Sequence, residues 1–147
     1  GTHSFPTRRS SDLVQVKVPF HDIDIMEIAW HGHYVKYFEI ARCELFEQLD
    51  YNHLAMRESG YAWPVIDLHV RFARPSRFNQ VLNVTATLKE WENRLKVDYV
   101  ITDAGTGERL TRGHTIQVAL DMRTGEMCFV SPDVLLEKIE KAQEAQG

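Results

Sequence analysis

The spacing of apolar residues changes several times along the chain, and each change marks an element. Val14, Val16 and Val18 alternate with Gln15 and Lys17 until Pro19 stops the run, which predicts a short half-buried strand over 14–18. A polar, acidic loop follows. From Tyr34 the apolar positions are Tyr34, Tyr37, Phe38, Ala41, Leu45 and Leu49, steps of three and four that share one stripe of a long helix. Residues 52–59 predict a further helical turn closed by Gly60. The period then becomes two. Ile66, Leu68, Val70 and Phe72 form one alternating row, Leu82, Val84, Ala86 and Leu88 a second, and Leu95, Val97, Tyr99 and Ile101 a third. Leu110, His114, Ile116, Val118, Leu120 and Met122 form one face of a fourth such strand, interrupted by Arg112. The connections Glu92-Asn93, Ala104-Gly105-Thr106-Gly107 and Arg123-Thr124-Gly125 suit turns between antiparallel neighbours. Ser131-Pro132-Asp133 reads as the capped start of a C-terminal helix over 134–143.

The order strand, long helix, four strands predicts an α+β domain. A five-stranded antiparallel sheet whose apolar face needs cover, and one long helix to supply it, make the hotdog arrangement. Five strands leave an exposed edge, a liability that edge-to-edge pairing in a dimer removes. Residues 14–147 are read as a single domain. Residues 1–13, GTHSFPTRRSSDL, share neither periodicity nor composition with the rest. The run from His3 to Leu13 resembles one translated frame of a sequencing adapter, so this tail is expected to be foreign to the fold and functionally silent.

Composition narrows the function. The 147 residues hold 17 basic and 21 acidic side chains, a net charge of −4, which argues against nucleic acid as the partner. Cys43 and Cys128 have no ligand-type spacing, so neither a disulfide framework nor a structural zinc site is expected and a reducing, cytoplasmic compartment fits. Cys43, inside the long helix, is expected to be a small buried hydrophobe. No apolar run is long enough for a membrane span.

Residues 20–34, FHDIDIMEIAWHGHY, hold the densest group of ionisable side chains, between a strand and a helix. The helix start has Trp30, His31 and Gly32 where a capping Ser, Thr, Asp or Asn is usual. Uncapped amides at the positive end of a helix favour negative charge, including an oxyanion forming on a carbonyl. The loop can fold Asp24 back against that end, where its carboxylate would serve as base or nucleophile toward a thioester.

Asp22-x-Asp24-x-Met26-x-Ile28-x-Trp30-His31-Gly32-x-Tyr34, followed by Tyr37-Phe38-Glu39-x-Ala41-Arg42, resembles the opening of the 4-hydroxybenzoyl-CoA thioesterase family, the YbgC-like branch of hotdog acyl thioesterases. Val70-Arg71-Phe72-x-Arg74-Pro75 and residues 115–121, TIQVALD, resemble its later strands. The resemblance implies hydrolysis of an acyl-CoA or acyl-carrier-protein thioester without a cofactor or metal, in a homodimer or homotetramer with each site completed by the partner subunit. By position it makes Asp24 the catalytic carboxylate, places the amide of His31 against the thioester carbonyl, and puts Trp30 in the acyl pocket. The substrate-contacting set is expected to be Ile28, Trp30, Tyr34 and Arg74, with Arg71, Arg74 and Arg77 as candidates for the phosphates of CoA. Glu27 stands where the family usually has Gly. It must relax the loop or turn its carboxylate outward.

Other readings compete with these roles. Asp24 is also a common loop or turn residue, and Asp22 is read as the structural one of the pair. Glu39 and Arg42, three apart, are expected to pair, although other hotdog branches use a helix carboxylate as catalyst. Two further functions remain: an acyl-thioester-binding protein without catalysis, and a metal protein using His21, Asp22, Asp24, Glu27, His31 and His33, whose spacing matches no established site.

Overall fold

A computed structural model of the chain describes residues 11–29 and 32–146. In chain order it contains β1 (Ser11–Lys17), a 3-10 turn (Phe20–Asp22), α1 (His33–Gln48), α2 (His53–Glu58), β2 (Tyr61–Ala62), β3 (Val65–Phe72), β4 (Val81–Glu90), β5 (Leu95–Asp103), β6 (Arg109–Gln117), β7 (Leu120–Asp121) and α3 (Asp133–Gln146). Five strands form one antiparallel sheet in the order β1-β4-β5-β6-β3, and β2 pairs with β7 in a small second sheet. The sheet wraps α1, so the α+β hotdog expected from the pattern is the fold observed.

The core forms where the period-three-and-four stripe of the helix meets the period-two rows of the sheet. Tyr34, Tyr37, Phe38, Ala41 and Leu45 of α1 are buried, as are Leu82, Val84, Ala86 and Leu88 of β4 and Leu95, Val97, Tyr99 and Ile101 of β5. Phe38 stacks on Tyr99, with ring centroids 4.4 Å apart. The end of α1 is set by a left-handed Asp50 at φ 57, with Tyr51 N–H donating to the Phe46 carbonyl and Asp50 N–H to that of Glu47. Asn52 caps α2 by accepting from Ala55 N–H at 2.9 Å.

Four expectations are corrected. The last long strand is broken: β6 ends at Gln117, and Leu120–Asp121 leaves the main sheet to pair with β2. Opposite β5 its inward row is also the other one, although Leu110 and Ile116 of the expected row are buried too. Thr111, Gly113, Thr115 and Gln117 lie opposite the inward Ile101, Tyr99, Val97 and Leu95 of β5. The aromatic rings of α1 and β5 occupy the space there, so β6 can present only small or hydrogen-bonding groups. A Cβ on Gly113 would meet the Phe38 ring at 2.8 Å, and Thr115 shares a hydrogen bond with the Tyr99 hydroxyl at 2.8 Å. Cys43 is exposed, because position 43 falls outside the buried stripe. Ser131 does not cap α3: its hydroxyl is buried with no partner among the described residues, and Pro132 supplies the first carbonyl, to Leu135 N–H at 3.0 Å.

Candidate active site

Asp22 anchors the loop between β1 and α1. Its carboxylate, fully buried, accepts from Lys36 Nζ at 2.7 Å on both oxygens and from the Tyr37 hydroxyl at 2.7 Å, and His33 Nδ1 lies 3.5 Å away. Burial alone would push its pKa up, but the hydrogen bonds from Lys36 and Tyr37 outweigh burial and hold it below the ordinary carboxylate range. In turn, burial and the bonded Asp22 raise the Tyr37 phenol far above its usual value. Asp22 therefore ties the loop to the first turns of α1, as the structural reading of that residue expects.

A second set of bonds ties the loop to the β3–β4 connection. Ala29 N–H donates to the Ser76 carbonyl at 2.6 Å, and Ile28 bridges Arg77. The Tyr34 hydroxyl donates to Ser76 Oγ at 3.1 Å and accepts from Ser76 N–H at 3.0 Å. Ser76, fully buried, fastens the start of α1 to this connection, and nothing in the sequence pattern singled it out.

Between these anchors the chain makes a tight reversal with Asp24 at its base. Asp24 N–H donates to the Ile28 carbonyl at 2.9 Å, Glu27 N–H to the Asp24 carbonyl at 2.9 Å, and Met26 N–H to Asp24 Oδ1 at 2.8 Å. That last bond is the turn-forming use expected of a loop aspartate. It occupies one oxygen, and Oδ2 has no partner among the described residues. Glu27 completes the reversal in the left-handed region at φ 64, with its side chain exposed. The loop thus keeps a glycine-type backbone and turns the Glu27 carboxylate outward.

Asp24 lines a cavity of about 530 Å³ whose other walls are Ile28, Ala29, Tyr34 and residues 72–75, FARP. Asp24, Ile28, Tyr34 and Arg74, expected to work together, are therefore brought to one place. Phe72 closes on Tyr34 with ring centroids 5.3 Å apart. Trp30 and His31 lie outside the described residues. The adjoining helix start is Gly32, which has no side chain to cap with, and the first turn of α1 contains no acid, so its positive end is not neutralised from within. A carboxylate with an oxygen that no described residue engages, largely apolar walls and a helix N-terminus suit the binding of a carbonyl compound and the stabilisation of negative charge on it.

Other candidates are dispersed. Glu39 and Arg42 form no ion pair among the described residues, and Glu39 is exposed on the outer side of α1, away from the Asp24 cavity. Arg74 contacts Glu108 at 3.2 Å, and Arg71 lies opposite Arg112 across the β3–β6 pair. Among the described residues no group of three or more His, Cys, Asp or Glu side chains is placed to hold a metal ion. No described helix is long and apolar enough to cross a membrane.

The fold has counterparts. A Synechocystis protein, sll0410, whose name proposes an esterase, is 27% identical over 132 residues, covering 89% of this chain and 80% of its own. A 1,4-dihydroxy-2-naphthoyl-CoA (DHNA-CoA) thioesterase from Staphylococcus aureus superposes with a TM-score of 0.79 at 21% identity, covering 92% of this chain and 90% of that one. A variant of 4-hydroxybenzoyl-CoA thioesterase in complex with 4-hydroxybenzoyl-CoA does so with a TM-score of 0.77 at 17% identity, covering 88% and 99%. The thioesterase-like superfamily matches residues 18–139, a span running from the loop that carries Asp24 through the sheet and into α3, and this chain belongs to that superfamily.

Proposed function

We propose that the chain is an acyl-CoA thioesterase that hydrolyses its substrate to free acid and thiol at the Asp24 cavity. The observation that carries this reading is the Asp24 carboxylate, with Oδ2 unengaged by any described residue, in an apolar cavity beside the uncapped start of α1. In this reading the acyl group lies against Ile28, Trp30 and Tyr34, Arg74 flanks the mouth, and the thioester carbonyl points at the amide of His31. Asp24 either removes a proton from the attacking water or attacks the carbonyl itself. The oxyanion is held by the helix N-terminus; on the base route the thiolate leaves as the acid forms, and on the nucleophile route it leaves as an acyl–Asp24 anhydride forms, which water then hydrolyses to the free acid and the Asp24 carboxylate. The likeness of the loop motif to the 4-hydroxybenzoyl-CoA thioesterase family supports a CoA thioester as substrate, with an aromatic or an aliphatic acyl group. A carrier-protein thioester is the competing substrate. The two free cysteines fit a reducing compartment, the cytoplasm.

The test is thiol release from a panel of aromatic and aliphatic thioesters by the parent and Asp24→Asn proteins. The amide is nearly isosteric but can neither take a proton nor attack, so turnover is expected to fall by roughly 10²-fold or more with the fold intact. Near-normal turnover in a well-folded variant removes Asp24 from the mechanism. Tight acyl-CoA binding by the parent without any thiol release would favour the non-catalytic function.

A further inference from the structure

The wall of the Asp24 cavity continues past Pro75 into a second cavity of about 510 Å³, and Arg74 and Pro75 border both. Their chemistry differs. The first surrounds one carboxylate with mainly apolar groups and has Arg74 at its rim; the second is lined by Arg74, Arg77, Phe78, Gln80, Asp103 and Glu108 among others. The acids of this second cavity are already engaged. Glu108 pairs with Arg74 at 3.2 Å, and Asp103 accepts from Gln80 Nε2 at 2.6 Å and from the amides of Gly105 and Thr106 at 2.7 and 2.9 Å. Arg77 has no ion-pair partner among the described residues, yet its backbone is fixed by the bridge to Ile28 and by bonds to and from Gln80 at 2.9 and 3.1 Å. Beside it Phe78 is 45% exposed and meets Phe20, 72% exposed, edge to face with centroids 5.7 Å apart. An unpaired guanidinium next to exposed aromatic rings suits a phosphorylated, planar ligand: the cation takes the phosphate and the rings take a base.

Resting on the thioesterase reading, we propose that this second cavity is the nucleotide subsite, with Arg77 on a phosphate of CoA and Phe78, backed by Phe20, against the adenine. The pantetheine arm then crosses the Arg74–Pro75 rim and delivers the thioester to Asp24. A carrier protein presents the same arm on a single phosphate with no base, so a site that spends exposed rings on a base selects CoA.

The experiment compares one acyl group carried on CoA, on pantetheine and on a carrier protein, with the parent, Arg77→Ala and Phe78→Ala proteins. Each substitution is expected to raise KM for the CoA ester roughly ten-fold relative to KM for the pantetheine ester, with kcat on CoA little changed. Equal changes on the two esters, or no change on either, overturn the proposal, as does a parent that prefers the carrier-protein ester. If the parent splits none of them, the thioesterase reading fails on its own, and calorimetry with free CoA decides the subsite. Binding that weakens about ten-fold in Arg77→Ala supports it, and binding unaffected by the substitution, or absent, overturns it.

Discussion

Glu27 stands at φ 64 in a reversal that a glycine would make without strain. A left-handed non-glycine residue costs about 1–2 kcal/mol, while a glycine returns about 0.4–1 kcal/mol of chain entropy to the unfolded state. The first effect is larger, so Glu27→Gly is expected to raise stability by about 0.5–1 kcal/mol in urea unfolding, and a destabilised variant would show that the Glu27 side chain contributes a contact. Asp22 and Asp24, two residues apart, should separate cleanly. Asp22→Asn exchanges a buried anionic acceptor for a neutral one and should cost about 1.5–3 kcal/mol. Because the pKa of Asp22 is lowered on folding, its contribution is present above the ordinary carboxylate range and is lost as pH falls through the folded value, so the variant should show a shallower acid-side loss of stability. Asp24→Asn should spare stability and remove turnover. Asp12 is the reverse case. It pairs with Ala86 on the inward side of β1, in the row of Val14 and Val16, and burial followed by the Glu44 charge raises its pKa. A raised pKa means stability that is complete below the unfolded value and lost as pH rises through the folded one. Asp12→Leu should therefore stabilise by about 1 kcal/mol near pH 7 and by less near pH 3, measured by denaturation at both.

At the level of elements, the long helix and the strands β4 and β5 were legible because burial writes their periods directly into the sequence, while β3 carries the same alternation on a row that the single chain leaves exposed. The β6 face was not. An alternation rule assumes that the inward row is the apolar one, whereas Thr111, Gly113, Thr115 and Gln117 face rings already large enough to fill the layer. The candidate site was half legible: that Asp24, Ile28, Tyr34 and Arg74 share one cavity agrees with the motif, but Lys36 and Ser76, which fix that loop, act through contacts distant in sequence that no local pattern records. The N-terminal boundary was drawn slightly late. β1 begins at Ser11, with Ser11, Asp12 and Leu13 paired to Thr87, Ala86 and Thr85, three residues ahead of the expected start at Val14. Removing residues 1–10 is accordingly expected to leave the melting temperature and activity unchanged. Removing residues 1–13 deletes three register pairs from an edge strand and should lower the melting temperature by about 2–4 °C. A loss of that size from the shorter deletion would show that residues 1–10 stabilise the fold.

For the whole molecule the decisive feature is the second edge of the sheet, at β3. β3 has β6 on one side only, and Val70 is its one half-buried residue; the others are exposed. Val65, Ile66, Leu68 and Phe72 are 42–54% exposed, although Leu68, Val70 and Phe72 lie on the same side of the sheet as the inward row of β6. On that side only Phe72, against Tyr34 of the helix, and the half-buried Val70 reach the core of the single chain. An apolar edge strand with free backbone groups invites pairing with another chain. A second copy brings an identical strand, and a two-fold axis at β3 would join two five-stranded sheets into one. Phe72, at the end of this strand, also walls the Asp24 cavity, so the same pairing would bring the partner beside the site. A homodimer, or a dimer of such dimers, is therefore expected in light scattering at assay concentrations. Leu68→Lys places a charge at an exposed position on that side, sparing the monomer core but penalising the joint. It should shift the protein toward monomer and reduce turnover at least ten-fold in dilute solution, with recovery as protein concentration rises. A fully active monomer, of the parent or of this variant, sinks the shared-site arrangement.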